Sequence, residues 1–190
     1  MMEYSTAMPS PRNDLVHDIE IRAAAPDDLS AILVIHNEVI ATSTAIYSMD
    51  PATLDERRAW LRARTDAGFP VLVAIGDGIV AGFASFGEFR GAWPGYRHSV
   101  EHSVHVRSDA RGRGLGGRLV QALFPLAAAL GKHVMIGGID AANANSLALH
   151  RRLGFEEVAH FREVGRKFGR WLDLVFVQCF IDERGAPRAD

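Results

Sequence analysis

The sequence predicts a single mixed α/β domain, and three observations carry that prediction. Apolar residues alternate with polar ones in some stretches, as in strands, and recur every three to four residues in others, as on a helix face. The turn sequence Gly76-Asp77-Gly78 separates two apolar runs and is typical of an antiparallel hairpin. A glycine-rich segment over 111–117 lies between an expected strand and an expected helix. We expect the domain to span residues 18–182, between polar tails over 1–17 and 183–190.

The first elements are expected to be one strand and two helices. A strand over 19–22 precedes Pro26, which is well tolerated in the first turn of a helix. The first helix buries an apolar face at helical spacing, formed by Leu29, Ile32, Leu33, His36, Val39 and Ile40. Thr53 and Glu56 resemble a capping box, which predicts a second helix that ends at Arg64.

The middle of the chain is expected to be mainly sheet. A hairpin joins strands over 71–75 and 79–86. Residues 87–98 lack periodicity and indicate a loop, after which a strand covers 99–106.

Helices and strands alternate after the glycine-rich segment. An apolar stripe predicts a helix and consists of Leu115, Leu119, Ala122, Leu123 and Leu126. A buried strand over 134–139 precedes a short helix over 143–153, which Gly154 caps. Strands over 157–164 and 171–181 complete the order β-α-α-β-β-β-α-β-α-β-β, with about seven strands in all.

Composition excludes several classes of function. The formal net charge of −2 provides no general attraction to nucleic acid or to anionic membranes. No apolar run approaches the ~20 residues that span a bilayer, and no signal pattern opens the chain. The single cysteine, Cys179, lies in an apolar run, which indicates core packing and favours a reducing cytoplasm. No metal is expected, because metal-ligand spacing is absent among His17, His36, His98, His102, His105, His133, His150 and His160.

The segment over 111–117, Arg-Gly-Arg-Gly-Leu-Gly-Gly, predicts a phosphate-binding turn. Glycines let backbone N–H groups crowd around a phosphate, and a following helix N-terminus adds free donors and a positive dipole. Arg111 and Arg113 strengthen the preference for an anion. The chain is therefore expected to bind a phosphorylated cofactor.

Two well-known glycine motifs fit this turn poorly. A P-loop ends in Gly-Lys-Ser/Thr, whereas this turn ends in Gly116-Gly117-Arg118. The dinucleotide pattern G-x-G-x-x-G is met literally, and Asp140 ends the next strand as a ribose-binding acid would. Residues 107–111 nevertheless separate the strand from the first glycine, and the preceding antiparallel hairpin does not suit a doubly wound sheet.

A third pattern, Arg/Gln-x-x-Gly-x-Gly/Ala, is met by Arg111, Gly114 and Gly116. Through it the chain resembles the GNAT family of acetyl-CoA-dependent N-acetyltransferases. Blocks over 101–106, 139–143, 146–150 and 165–173 resemble the phosphinothricin and methionine-sulfoximine acetyltransferase branch, and the likeness extends over residues 19–181. The resemblance implies a mixed, mostly antiparallel sheet flanked by about four helices.

The resemblance also implies where acetyl-CoA binds. Backbone amides of the turn would hold the pyrophosphate, and the preceding strand would pair with the pantetheine arm. The implied cofactor-binding residues are Val104, His105, Val106, Arg111, Gly112, Arg113, Gly114, Leu115, Gly116, Gly117, Asn143 and Ser146. Asn143 also suits a helix N-cap, and both roles are compatible.

Acetyl transfer to an amine requires a base for the amine and stabilisation of charge on the thioester carbonyl. Glu101 is the candidate base, since on a strand it shares a face with Ser103 and His105 and partial burial would raise its pKa. The resemblance assigns that role to this glutamate; a strand glutamate paired with a cation is the alternative. Backbone amides near Val104 would polarise the thioester.

His150 is the second catalytic candidate, with three roles open. The resembling branch has histidine where many GNAT enzymes place a tyrosine that protonates the leaving sulfur. Proton donation, substrate contact and helix packing all suit a helical histidine.

The acceptor is expected to contact Arg90, Trp93, Tyr96 and Glu101. Arg90 would bind an amino-acid carboxylate in a bidentate manner, unless it is a solvated loop arginine. The segment 167–171 carries no assigned chemistry, although the resemblance suggests that it frames the pocket or a dimer contact.

We therefore predict a cytoplasmic N-acetyltransferase that uses acetyl-CoA and acts on a small amino acid or an analogue. The methionine sulfoximine, methionine sulfone and phosphinothricin types are candidate acceptors, and a homodimer is implied by the resemblance. Acetylation of a protein N-terminus or a polyamine is one alternative. A catalytically silent acetyl-CoA-binding module is another.

Overall fold

Strands and helices follow one another in the predicted order. The computed structural model describes residues 19–91 and 93–182, so both predicted tails, including His17, lie outside the described residues. The strands are β1 (Glu20–Ala23), β2 (Val71–Gly76), β3 (Ile79–Glu88), β4 (Ser99–Val106), β5 (Val134–Asp140), β6 (Glu156–Lys167) and β7 (Arg170–Phe180). The helices are α1 (Leu29–Thr42), α2 (Leu54–Asp66), α3 (Leu115–Ala129) and α4 (Ala144–Arg152).

One mixed sheet in the order β1-β2-β3-β4-β5-β7-β6 organises the chain. Adjacent strands run antiparallel except β4 and β5, which run parallel. This arrangement confirms the mostly antiparallel sheet and excludes the doubly wound sheet of dinucleotide-binding folds.

The parallel pair β4–β5 is short, and this shapes the site. The ladder joins Ser99 to Val134 and ends where Glu101 lies beside Ile136. β4 continues to Val106 and β5 to Asp140 without further pairing to each other. The two strands therefore part just beyond Glu101 and leave a gap in the sheet with unpaired edges.

The sheet buries apolar side chains on both faces. On one face α3 packs against β2, β3 and β4, with Leu119 and Leu123 fully buried beside Phe86. On the other face α1 and α2 cover β2 and β3, with Ile32 packed against Phe83. The alternation of side chains along β2 and β3 thus supplies two cores.

Local signals predicted most boundaries well. Thr53 caps α2 and exchanges backbone and side-chain bonds with Glu56, as the capping box requires. The hairpin turn has positive φ at Asp77 and Gly78, as a type I′ turn does. The first turn of the predicted first helix is 3₁₀, so α1 begins at Leu29.

The buried face of α1 differs from the prediction. Ile35 is buried, whereas Leu33 and His36 are only half-buried. The helix is rotated so that Ile32, Ile35 and Val39 face the sheet. Strand β6 also extends to Lys167, three residues beyond its predicted end.

No helix of the described residues has the length and apolar character needed to cross a bilayer.

Candidate active site

The glycine-rich turn presents free backbone donors toward solvent. Gly112 and Gly114 have φ of 76° and 78°, a left-handed conformation that glycine adopts without strain. Gly114 caps α3, and its carbonyl accepts the first helical bond from Arg118 N at 3.1 Å. The N–H groups of residues 115–117 lie in the first turn, where a helix has no internal acceptors. The turn therefore has the geometry of an anion site at the positive end of a fifteen-residue helix.

Two further glycines bring α4 close to the start of α3. A Cβ added to Gly116 or Gly117 would lie 3.3 or 3.4 Å from a methyl carbon of Leu149. A side chain at either position would press on α4. These glycines thus set the spacing of the two helices around the turn.

A cavity of about 690 Å³ joins the turn to the edge of β4. Every predicted cofactor-binding residue except Arg113 lines this cavity. These lining residues are Val104, His105, Val106, Arg111, Gly112, Gly114, Leu115, Gly116, Gly117, Asn143 and Ser146. The exposed Arg113 is not among the lining residues.

The same cavity includes residues that the sequence analysis missed, namely Val39, Ser43, Ala45, Ala110, Asn145, Ala148, Leu149 and Arg152. Helical spacing would have revealed the last four, because residues 145, 148, 149 and 152 share one face of α4. The three from α1 and the loop after it carried no local signal.

A smaller cavity of about 70 Å³ lies where β4 and β5 part. It shares five lining residues with the larger cavity and adds residues of β5; the shared ones are Ala45, Val104, His105, Asn143 and Ser146. The sequence-predicted His150 lines this recess. The two cavities together run from the anion site into the gap in the sheet.

Glu101 lies on β4 at the last paired position before the gap. Its Oε1 is 3.3 Å from the position that a Cβ on Gly138 would occupy, so the carboxylate extends over β5. The side chain is accessible to solvent, yet the surrounding protein partly desolvates it, and this burial raises the pKa of Glu101. The charge of Arg64 acts in the opposite sense. A carboxylate with a raised pKa is a better proton acceptor.

His150 is buried, with 2% of its surface exposed. Its Nδ1 lies 2.7 Å from the carbonyl oxygen of Ser146, so Nδ1 carries the proton and donates it. Its Nε2 is buried without a partner among the described residues. Burial lowers the pKa of His150, and its ring stacks on His102 with centroids 5.1 Å apart. The neutral ring has no proton available on Nε2.

Asn143 serves as the predicted N-cap. Its Oδ1 accepts a bond of 3.1 Å from Ser146 N, and the residue lines both cavities.

The predicted acceptor residues of the loop before β4 lie outside both cavities. Arg90 is exposed, with its guanidinium 5.4 Å from the ring centroid of Tyr96. Phe89 packs edge-on against both Tyr96 and Phe176. Phe176 pairs with Gly138 across β5 and β7, which places this aromatic cluster on the side of Glu101. Trp93 is 63% exposed.

Residues 15–155 match the family model described as "Acetyltransferase (GNAT) family".

The chain belongs to the GNAT family.

Two relatives match this chain over almost the whole of their own length. The chain is 50% identical over 169 residues to the L-methionine sulfoximine/L-methionine sulfone acetyltransferase of Pseudomonas paraeruginosa, covering 88% of this chain and 98% of that protein. It is 47% identical over 171 residues to the L-amino acid N-acyltransferase MnaT of Escherichia coli, covering 90% and 99%.

Two solved structures share the fold. The acetyltransferase yncA of Salmonella typhimurium, solved with acetyl-CoA, has a TM-score of 0.86 and 45% identity, covering 90% of this chain and 99% of that one. A GNAT phosphinothricin acetyltransferase of Sinorhizobium meliloti, also in complex with acetyl-CoA, has a TM-score of 0.86 and 35% identity, covering 90% and 93%. The protein is thus a GNAT N-acetyltransferase.

In this GNAT enzyme Asp140 has a structural role. It is 4% exposed, its carboxylate accepts hydrogen bonds from the Thr44 hydroxyl and from Ala142 N, and it anchors the loop after α1 to the end of β5. The carboxylate is thus engaged within the fold, and the dinucleotide pattern, already a poor fit to the sequence, gains no support from Asp140.

Two cations near the site were missed by the sequence analysis. Lys167 is 2% exposed and donates three hydrogen bonds to backbone carbonyls at the end of α1 and in the following loop. Arg64, on α2, lies over β3 beside Glu101. No local sequence pattern predicts the position of either residue, because each contacts segments that are distant in the chain.

Across residues 19–91 and 93–182, no group of three or more His, Cys, Asp or Glu side chains is arranged to hold a metal ion.

Proposed function

We propose that this enzyme transfers the acetyl group of acetyl-CoA to the α-amine of a small amino acid or amino-acid analogue. One observation carries the proposal: two adjoining cavities that share lining residues extend from the turn before α3 to the gap between β4 and β5. Glu101 lines neither cavity and lies at the last paired position before that gap. The names of both relatives described above give amino acids or their analogues as the acceptors.

The cofactor would lie along these two cavities. The N–H groups at the start of α3, with Arg111, would bind the pyrophosphate. The unpaired edge of β4 over residues 104–106 would pair with the amide groups of the pantetheine arm, as an added strand would. The thioester would then reach the gap near Glu101.

The reaction is a direct attack within a ternary complex. Glu101 takes a proton from the ammonium group, directly or through one water, and leaves a neutral amine. The amine nitrogen forms a bond to the acetyl carbon, the bond from that carbon to sulfur breaks, and the nitrogen releases its second proton to water in the open cavity. Backbone N–H groups near Val104 stabilise the negative charge that develops on the carbonyl oxygen.

His150 fits a positioning role better than acid catalysis. Its Nδ1 proton is engaged by Ser146, and its lowered pKa keeps the ring neutral. A thiol has a pKa near ~8.5, so the leaving sulfur departs as a thiolate that water in the open cavity can protonate. His150 instead holds α4 against β4 by its stacking on His102.

The acceptor would enter beside the loop before β4. Arg90, Trp93 and Tyr96 would form the rim there, because Phe89 and Phe176 attach this loop to the side of the sheet that carries Glu101. Methionine sulfoximine, methionine sulfone and phosphinothricin share an amino-acid core and would all fit one acceptor subsite.

The proposal also includes the assembly and location of the enzyme, which we expect to be a homodimer in the cytoplasm. Exposed apolar side chains cluster on β6 and β7, where Phe161, Val164 and Trp171 are 44%, 54% and 62% exposed. An apolar surface of this kind is typical of an interface. Light scattering of the purified protein at several concentrations measures its mass and tests the dimer.

A free-CoA release assay across a panel of amines tests the function. We expect turnover with methionine sulfoximine, methionine sulfone or phosphinothricin, and little with spermidine or a peptide N-terminus. Preferred turnover of spermidine or the peptide would contradict the proposed acceptor class. Binding of acetyl-CoA without CoA release for any amine would identify a silent binding module instead.

A further inference from the structure

Helix α2 presents two half-buried arginines to the sheet. Arg57 and Arg64 are seven residues apart and therefore share a helix face with Trp60 and Leu61, which pack into the core under α1. Arg57 lies 5.0 Å from the ring centroid of Trp60. Arg64 lies two helical turns beyond Arg57, over the end of β3.

The Arg64 guanidinium rests on the backbone of Gly87. A Cβ built on Gly87 would lie 1.6 Å from Nη1 and 2.4 Å from Cζ of Arg64, so the guanidinium occupies the space that any side chain there would fill. Gly87 is paired with Glu101 in the β3–β4 ladder. Paired residues project to the same face, which places the guanidinium on the face that carries the Glu101 carboxylate.

Arg64 has no hydrogen-bonded partner for its charge. Within the described part of the chain its Nε is fully buried without an acceptor. Burial lowers the pKa of Arg64, while the Glu101 charge raises it. A half-buried cation without a hydrogen-bonded anion is costly, so this position favours the arrival of an anion.

The space around Glu101 suits an α-amino acid. Gly87, paired with Glu101, and Gly138, next to its Oε1, add no side chains of their own to the sheet surface there. The amine and carboxylate of an α-amino acid are on the same carbon, so a base for one and a cation for the other must lie within a few ångströms of the substrate. Arg64 is close enough to influence Glu101, whereas Arg90 lies against Tyr96.

We propose that Arg64 binds the α-carboxylate of the acceptor while Glu101 takes the proton from its amine. The inference rests on the proposed function and names the acceptor class more narrowly, as α-amino acids with a free carboxylate. The guanidinium and carboxylate would form a bidentate pair, and this pair would place the amine beside Glu101. Arg90 would then remain at the rim.

The test compares two acceptors in two enzymes. Methionine sulfone carries the carboxylate, and its methyl ester lacks the charge. At a pH on the plateau above the acid limb of each pH profile, we expect the KM of Arg64→Gln for the acid to rise roughly 10²-fold, with kcat/KM for the ester within about threefold of wild type. Comparing variant with wild type for each acceptor separately cancels the different basicity of the two amines. Arg62→Gln, on the exposed face of the same helix, is the matched control and should behave as wild type.

A second variant keeps the test independent of folding. Gly87→Ala leaves Arg64 chemically intact but displaces its guanidinium by placing a methyl group there. It should also raise the KM for the acid far more than for the ester. Acetyl-CoA affinity and the unfolding temperature, measured for each variant, should stay near wild type.

Two results would contradict the role of Arg64, and a third would contradict the proposed function on which that role rests. An equal loss for acid and ester in Arg64→Gln would mean that Arg64 acts on Glu101 or on folding, and the carboxylate role would be wrong. Unchanged kinetics in both variants would also refute it. If the wild type acetylated neither acceptor nor any amino acid, the proposed function itself would fail.

Discussion

Lys167 donates a hydrogen bond from Nζ to the carbonyl oxygen of Ile40, 2.6 Å away and 127 residues earlier in the chain. The same ammonium group bonds Ser43 O at 2.9 Å and Ile46 O at 2.7 Å. It thereby closes the C-terminal end of α1 and ties the loop after it to β6. That loop supplies Ser43 and Ala45 to the large cavity, so a buried lysine far along the chain shapes one wall of the site.

Replacement of this lysine should cost stability. Lys167→Met leaves three carbonyl groups without their donor, and we expect the free energy of unfolding to fall by about 2–4 kcal/mol. Urea denaturation measures the change. Arg166→Met is the matched control, since Arg166 is exposed on the same strand and should change stability little. A similar loss in both variants would show that the three bonds contribute nothing specific.

Replacement of the proposed base should affect turnover and spare cofactor binding. Glu101→Gln keeps the shape of the side chain but cannot accept a proton, so we expect kcat to fall roughly 10²–10⁴-fold with the Kd for acetyl-CoA unchanged. Steady-state kinetics and calorimetry measure the two quantities. Glu88→Gln, an exposed glutamate on β3, serves as the control. Normal turnover in Glu101→Gln would remove Glu101 from the mechanism.

The rate should depend on pH through the same carboxylate. Because burial raises the pKa of Glu101, its protonated and inactive form persists to a higher pH than for an ordinary glutamate. The kcat/KM of the wild type should therefore decline as pH falls through that raised pKa. Loss of the opposing Arg64 charge in Arg64→Gln should move the decline to higher pH, as a pH profile with the ester acceptor would reveal. A profile that did not move would argue against their electrostatic interaction.

The left-handed glycine before α3 should matter for the cofactor as well as for the backbone. Gly114→Ala strains a residue at positive φ and disturbs the N–H groups that face the anion. Gly78→Ala places the same strain in the β2–β3 turn, where φ is 73° and nothing crowds the new methyl. We expect both to lose similar stability, about 1 kcal/mol, and only Gly114→Ala to weaken acetyl-CoA binding. Equal affinities would contradict the placement of the pyrophosphate.

His150 should prove more important for stability than for chemistry. In His150→Phe the ring contacts with His102 and Phe155 are retained, while the bond to Ser146 is lost. We expect kcat to stay within about tenfold of wild type, far less than the loss from a missing general acid. A loss beyond 10²-fold with normal folding and cofactor affinity would restore the acid role.

Mild acid should destabilise the protein through buried histidines. Burial lowers the pKa of His36 and His105 to about 4 and that of His102 to about 3. The unfolded chain binds these protons near its ordinary pKa of ~6.5. Between that value and about 4 the unfolded state therefore holds more protons, and the free energy of unfolding falls as pH falls, with a limiting slope of roughly 1.4 kcal/mol per pH unit for each histidine.

One substitution isolates a single contribution to this slope. His102→Phe keeps an aromatic ring against His150 and Phe155 but removes the titrating group. Denaturation at a series of pH values should show that the free energy of unfolding of His102→Phe depends less steeply on pH than that of the wild type. The difference in slope should equal the contribution of one histidine. An unaltered slope in His102→Phe would contradict this account.

Local chemistry explains why so much of the fold could be predicted. Hydrophobic periodicity, the Thr53–Glu56 capping box and the Gly76-Asp77-Gly78 turn depend on residues only a few positions apart, and the structure confirms the element order. Periodicity alone was less reliable for the rotation of α1. There Ile35 replaced Leu33 on the buried face because packing against β3 selected the orientation.

The sequence by itself determined the order of elements, the glycine-rich anion turn and the strand that carries Glu101, because each depends on short-range spacing. Only the tertiary structure decided that Lys167 closes the end of α1, that Arg64 lies over Gly87 and that β4 and β5 part after Glu101. Such contacts depend on strand register and helix packing between distant segments. No local pattern encodes them, since the energy that selects them arises only when the sheet and its helices assemble.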